Sequence, residues 1–442
     1  MKKLKNDILL IIKGLKEIHS IRSGFLSLIF IRTVFNAITP FINIYMSALI
    51  IDGISRKMGF NVLLTYAVIT ISVNLLVLLI IRSLNRFINL LEFEFDSRYE
   101  MKISKKIISM DYTAVENPQT HRLREKINEF RSMNGGGIWQ LIRSFQLMIK
   151  SFITVAFSVS LTASMFMTVS GERLSGLYAI AASPVLSIIL AFGIIANVFV
   201  GMYTNNNVTK KTYKIMNDFI PFNRIFGYYL NDYLASYHAG KDIRIYNQKA
   251  LIMEESMSLF DDAYKSINIL FKNQMKYSSI VTVSTITIST LVYLFVGLKA
   301  LAGLFGVGLV VRYVGSINEF TNGFTDFMTQ LAMLRVNNQA IQIYFDFMEI
   351  PSQMYLGTLP VEKRSLCVGG DNDYEIEFRD VSFKYPSSAA YALQNVSLKF
   401  RIGERLAVVG MNGSGKTTFI KLLCRLYDPT EGEILLNGIN IK

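Results

Sequence analysis

Apolar residues are spread unevenly along this chain. They collect into runs near the ~20 residues that a helix needs to cross a bilayer. Six runs stand out, at 24–51, 62–81, 149–169, 177–202, 278–296 and 308–331, the last with charges inside it. Short links at 52–61, 170–176 and 297–307 alternate with long segments at 82–148 and 203–277. The long segments keep apolar residues at helical spacing, as at Ile103, Ile107, Ile108, Leu123, Ile127 and Phe130. That spacing predicts extensions of the spanning helices. Each long segment has a break suited to a short transverse helix, at 110–118 and 240–248. In the first, Asp111 and Glu116-Asn117-Pro118 supply turn and stop signals.

A linker at 351–373, with Pro360 and Gly369-Gly370, precedes a change of period. Segments 374–385 and 396–403 alternate as half-buried strands do. Residues 405–410 read as a buried apolar strand, 417–427 as an amphipathic helix ended by Asp428-Pro429, and 433–438 as a strand with a turn. The domains predicted are therefore 1–350 in the membrane, 351–373 as linker and 374–442 as a soluble α/β portion.

Composition supports the membrane reading: 51% of residues are hydrophobic, and mean hydropathy is +0.34. The net charge is +13; Lys and Arg cluster in the segments between the apolar runs, and both long segments are rich in them, as expected of cytoplasmic loops. Both termini and both long segments are thus expected in the cytoplasm. No basic patch is interleaved with aromatics outside the membrane-flanking segments, so nucleic acid is not expected as a partner. Cys367 and Cys424 allow no disulfide framework or zinc spacing, and His19, His121 and His238 are scattered. The N-terminal MKKLKNDILLIIKGLKE does not fit a secretory signal; it reads as an amphipathic helix on the inner membrane face or as a frayed basic tail.

The chemistry lies near the end. Gly410, Met411, Asn412, Gly413, Ser414, Gly415, Lys416 and Thr417 fit the P-loop pattern of a glycine, four residues, Gly-Lys and Ser or Thr, with Thr418 following. Glycines let backbone N–H groups turn toward phosphate oxygens without side-chain clash. The helix that follows offers its N-terminus to the same anion. Lys416 is expected to reach the β and γ phosphates of ATP and the Thr417 hydroxyl to ligate Mg²⁺.

Taken together, these features resemble a half-transporter of the ABC exporter family: a six-helix membrane domain with long cytosolic extensions, then the first part of an α/β P-loop nucleotide domain. VSFKYP at 381–386 and DPTEGEILLNG at 428–438 match the family on either side of the P-loop. The resemblance makes Tyr385 the aromatic that stacks on adenine, and the transverse helices near 112–117 and 241–246 the couplers between domains. It implies ATP-driven export of an unidentified substrate across a membrane, as expected of a bacterial cell membrane. It also implies lipid around the helices and a second half-transporter as partner, in a homodimer or heterodimer. The family's glutamine loop, LSGGQ-type signature, Walker B Glu and switch His would follow Lys442. The 442 residues are therefore expected to lack a catalytic group and to be inactive alone. A nucleotide-binding, hydrolysis-incompetent half paired with a complete partner is the alternative. RLSG at 173–176 and Gly135-Gly136-Gly137 read as decoys, the latter as a hinge.

Two polar stripes cross the membrane runs. Arg32, Asn36, Thr39, Asn43 and Ser47 share one helical face; Arg312, Glu319 and Asp326 share another, with Ser316 and Asn322 beside them. Ionisable groups in spans face a bundle interior or a water-filled cavity. The readings are a lined translocation pathway, or else helix–helix packing or a sixth helix that emerges into the cytosol before Asp326.

Overall fold

The computed structural model describes residues 2–134, 136–167, 184–234, 236–303, 306–352, 354, 374–386, 388–401 and 403–442. The RLSG decoy, Gly135 and residues 355–373 of the linker, Cys367 included, lie outside them. In chain order the helices are α1 (Lys2–Ile21), α2 (Phe25–Ser55), α3 (Phe60–Ser109), α4 (Tyr112–Glu116), α5 (Pro118–Asn134), α6 (Ile138–Met167), α7 (Pro184–Gly227), α8 (Tyr237–Ile245), α9 (Lys249–Leu301) and α10 (Val307–Met348). A π-helical turn, Tyr228–Tyr233, follows α7. Two compact units result: Met1–Arg98 with Asn128–Gln342, and Tyr99–Ile127 with Ile343–Lys442.

The first unit is helical. Helices α2, α3 and α9, with Ile138–Ala163 of α6 and Val185–Thr212 of α7, are long and apolar enough to cross a membrane. The chain is a multi-pass membrane protein. Helix α10 covers the sixth apolar run without a break but is not among those five, because Arg312, Glu319 and Asp326 interrupt it. Each such charge costs roughly 2.5–3.5 kcal/mol at a helix centre. As the spacing predicts, the spans continue as long rods: α3 runs for 50 residues and α9 for 53. The first predicted transverse helix is α4. The second is α8, which starts at Tyr237 and ends where Asn247 turns to a positive φ of 47°. At the N-terminus the chain is helical from Lys2 to Ile21 rather than frayed. In α1, Ile18 and Ile21 are buried while Ile8, Leu9 and Ile12 stay exposed.

Lipid offers little hydrophobic drive for helix association, so close packing and interhelical hydrogen bonds must supply it. Both are present. Met165, Ile194, Phe295, Val296, Tyr313 and Ile317 form one buried cluster from α6, α7, α9 and α10. Gly323 brings α10 against α6; a Cβ there would lie 2.9 Å from the Thr154 methyl. Ser284 donates to Asn197 at 2.6 Å, Ser289 to Asn318 at 2.9 Å and Asn205 to Thr329 at 2.8 Å. The Ser/Thr-rich fifth run thus acts as packing glue. Asn337 brackets Gly137, accepting from its N–H at 2.7 Å and donating to its carbonyl at 2.8 Å.

The second unit carries a four-stranded antiparallel sheet in the order β2-β1-β3-β4, with β1 Glu375–Phe383, β2 Leu393–Arg401, β3 Glu431–Leu436 and β4 Ile439–Asn440. Helix α11 (Lys416–Leu423) packs Phe419 and Leu422 against Phe378, Val381, Phe383 and Ile434 of the sheet. Two expectations fail here. Residues 405–410 are not a buried strand: they join no ladder among the described strands, and Val409 is 87% exposed. An apolar strand of that kind needs neighbours on both sides and covered faces, and the antiparallel sheet offers it neither. The P-loop helix ends at Leu423 rather than Tyr427. Arg425 adopts φ 50°, and Leu426 N–H closes on the Lys421 carbonyl at 2.8 Å. That reversed residue terminates the helix before Asp428-Pro429 is reached.

A cap between helices yields a prediction for the membrane unit. Asp52, in the last turn of α2, accepts from Gly308 N–H at 2.7 Å and caps the first turn of α10. Asp52→Ala should lower stability by ~1 kcal/mol, and Asp52→Asn should retain most of it. Thermal unfolding in lipid nanodiscs measures both.

Candidate nucleotide-binding site

The P-loop is shaped by backbone positions that only glycine takes without strain. Gly413 and Gly415 have φ of 84° and 88°. A Cβ on Gly415 would lie 2.6 Å from the Ala392 carbonyl oxygen and 2.8 Å from Leu393 Cδ2, and one on Gly410 would lie 2.5 Å from Ser414 Oγ. Ser414 N–H bonds the Met411 carbonyl at 3.2 Å and closes the turn. Met411 and Asn412 form its exposed tip. Gly415 is the N-cap of α11, so the loop delivers the unpaired N–H groups of a helix start to its mouth. Lys416 folds back, and its Nζ donates to the Gly410 and Met411 carbonyls at 2.7 Å each. The ammonium thus lies across the loop where an anion would sit. The Thr417 side chain is exposed at the same end, and Thr418 is buried. These groups fit a polyphosphate with a divalent cation: oriented N–H donors, an ammonium at the loop mouth and an exposed hydroxyl.

Tyr385 lies just beyond β1. Its hydroxyl is 3.1 Å from Thr418 Oγ1, and its ring meets Phe383 and Tyr427 edge-on, with centroids 5.0 and 5.4 Å away. It is half-buried and tied at its tip to the P-loop helix.

Sequence reading missed the neighbours of Tyr385. Lys421 Nζ lies 5.2, 5.3 and 5.6 Å from the ring centroids of Tyr112, Tyr385 and Tyr427, and pairs with Glu116 at 2.9 Å. The second oxygen of Glu116 accepts from the Tyr427 hydroxyl. The Tyr427 bond and then the Lys421 bond hold the Glu116 carboxyl below its ordinary range. The Glu116 bond raises Lys421. Burial, then the Glu116 bond, raises Tyr427. All three therefore keep their usual charge states at neutral pH. Glu116, Asn117, Tyr385, Lys421 and Tyr427 line a cavity of about 600 Å³. In the sequence Glu116 reads as part of a helix stop; nothing in its spacing from Lys421 announces a pair formed across 305 positions.

The stripe residues sit among helix contacts. Arg32 donates to Asn85 at 3.2 Å and Gln146 at 2.8 Å, bridging α2, α3 and α6. Asn43 accepts from Asn74 at 2.7 Å. Asn36 is half-buried, and Asn43 is exposed. The Arg312 guanidinium lies over the Tyr313 ring and 3.5 Å from the Leu161 carbonyl. Glu319, half-buried, and Asp326, exposed, both lie within the electrostatic reach of Lys150 on α6. Thus the α2 stripe joins helices through its first arginine, while the α10 stripe sets two carboxylates near one lysine.

Comparison with known proteins gives the same direction. The family model for the ABC transporter matches residues 393–442. The chain is 24% identical over 424 residues to the subtilin transport ATP-binding protein SpaT of Bacillus subtilis, covering 95% of this chain and 63% of that protein. It is 37% identical over 134 residues to the ATP-dependent lipid A-core flippase of Haemophilus ducreyi, 28% of this chain and 22% of the flippase. It is 33% identical over 161 residues to the beta-(1→2)glucan export ATP-binding/permease protein NdvA of Rhizobium meliloti, 35% of this chain and 26% of that protein. The chain spans less than two thirds of the length of each.

Gly415 gives the sharpest test of the loop geometry. Gly415→Ala forces a Cβ into a left-handed residue, a strain of roughly 1–2 kcal/mol, and against a backbone oxygen. Titration with a fluorescent ATP analogue should show binding weakened at least about tenfold, with the sheet's circular dichroism retained.

Proposed function

We propose that this chain, which is similar to ABC transporters over residues 393–442 and to an ATP-binding transport protein over most of its length, binds Mg²⁺-ATP at Gly410–Thr418 and, with a second half-transporter, drives export of a substrate across a membrane. The observation that carries this is the loop itself: two left-handed glycines, a helix start and Lys416 lying across the mouth. In this reading Lys416 and the loop N–H groups hold the phosphates, Thr417 holds Mg²⁺ and Tyr385 takes the adenine. Bound ATP supplies the free energy for moving the helices. The relatives' names refer to subtilin, lipid A-core and a glucan, so what they share is ATP-dependent movement of a substrate, and no substrate is assigned. The basic long segments favour a cytoplasmic nucleotide portion with cytoplasmic termini, in a bacterial cell membrane. The polar stripe of α10 is assigned to the pathway, since two carboxylates near one lysine are costly unless water reaches them.

A second reading, nucleotide binding without turnover by these 442 residues, is favoured by where the carboxylates of the sheet go. Glu431 accepts from the Tyr391 hydroxyl at 2.6 Å, and Glu433 bonds Arg379 and Asn440. The groups placed at the loop hold phosphate, whereas hydrolysis also needs a group that orients the attacking water.

Two measurements test these readings. In nanodiscs the chain should bind Mg²⁺-ATP, lose at least about tenfold in affinity in Lys416→Ala, and release phosphate no faster than that variant. Steady turnover abolished by Lys416→Ala would overturn the second reading; ATP binding indifferent to Lys416→Ala would overturn the first. For the pathway, cysteines at Arg312 and Glu319 should react with a small aqueous thiol reagent in at least one nucleotide state. Complete protection at both positions in every state removes the pathway assignment.

A further inference from the structure

Lys421 has an unusual setting for an exposed-helix lysine. Three tyrosine rings surround its ammonium, and one carboxylate from a different part of the chain holds it. Two of those partners, Tyr112 and Glu116, belong to α4. The third partner, Tyr427, is hydrogen-bonded to the same Glu116. The fourth partner is Tyr385, whose tip is fixed by Thr418 on the P-loop helix. A chain of direct contacts therefore runs from α4 through Glu116 and Lys421 to the face of Tyr385, and on to the helix that starts at the P-loop.

A lysine side chain has four rotatable bonds and samples many positions unless something holds its head. An ammonium over an aromatic face is attracted by the ring quadrupole and constrains the ring's tilt. Glu116 does the holding, with its charge-assisted bond to Lys421 and its bond from Tyr427. With Glu116 withdrawn, Lys421 is free to leave the rings, and Tyr385 keeps only its tip bond and edge contacts.

We propose that Lys421, clamped by Glu116, is the positioning residue for Tyr385, so that α4 sets the affinity for the base of a bound nucleotide through this one ion pair. The proposal rests on the reading of Tyr385 and the P-loop as one nucleotide site. It is specific to the base: Lys416 bonds the Gly410 and Met411 carbonyls, whereas the cluster meets the P-loop helix at the Tyr385 bond to Thr418, so affinity for polyphosphate alone should be independent of Glu116.

Binding of Mg²⁺-ATP and of Mg²⁺ with inorganic triphosphate, measured on the chain in nanodiscs, separates the two parts. Glu116→Gln should weaken ATP about three- to tenfold and leave triphosphate within about twofold. Lys421→Gln should do the same, and Glu116→Asp, which keeps the charge but shortens the reach, should fall between. In a Tyr385→Ala background, Glu116→Gln should have no further effect on ATP. Equal losses for ATP and triphosphate would mark the pair as structural only and overturn the proposal, as would additive losses in the Tyr385→Ala background or no loss at all. ATP binding that depends on Lys416 but not on Glu116 overturns this inference alone. Failure of the wild-type chain to bind ATP overturns it together with the site on which it rests.

Discussion

Inside a bilayer no water is available to satisfy a polar group, and the first unit is organised by that constraint. Its backbone closes on itself as helices because an open segment would leave donors and acceptors unpaired at several kcal/mol each. Its side chains follow the same rule across helices. Arg32 is shared between Asn85 and Gln146, Ser284 reaches Asn197, and Ser289 reaches Asn318. Asp52 satisfies the start of α10, a helix end with orphan N–H groups of its own. Small residues such as Gly323 bring the helices close enough for those short side chains to meet. Charge is kept in the span where it has a partner or a use, which is why the α10 stripe stands out.

The second unit lies under the opposite constraint. Its site must keep polar groups unsatisfied by the protein so that a ligand can satisfy them. Backbone conformation achieves this: left-handed residues at Gly413 and Gly415 turn the chain so that a helix start faces outward. The adjoining core, Phe378, Phe419 and Leu422, fixes that helix against the sheet. Residues 405–410 join no ladder among the described strands, so the loop's position rests on α11 and on the close approach of Gly415 to Ala392, just before β2.

Much of this was legible in the sequence because the signals are local. Apolar runs, their lengths and the basic segments between them gave the helices, since period and length depend only on neighbouring residues. The P-loop was legible because its residue types answer to backbone geometry within eight positions. Two elements were misread, the first because its outcome depends on partners far along the chain and the second because a nearer local turn was overlooked. Residues 405–410 have the composition of a buried strand, but burial needs neighbours that composition does not encode. The end of α11 was placed at Asp428-Pro429, the strongest local stop, while Arg425 turned the chain earlier. Glu116 and Lys421 were invisible as a pair because an ion pair across 305 positions leaves no periodic trace.

Lys416 shows how far the site is formed before any ligand enters. Its ammonium already spans the loop mouth, bonded to the carbonyls of Gly410 and Met411. A phosphate oxygen is a stronger acceptor for that ammonium than a neutral carbonyl, because the bond becomes charge-assisted on both sides. In the proposed site, binding would exchange these two neutral acceptors for an ionic one. Little ordering remains to offset the gain, which is the energetic advantage of a preorganised loop. The same logic separates the two ends of a bound nucleotide. The proposed phosphate end is shaped chiefly by local backbone geometry, supported by the sheet through Gly415 and α11. If Tyr385 takes the base as proposed, α4 would reach it through Glu116 and Lys421, so it is at the base that a distant segment would have leverage.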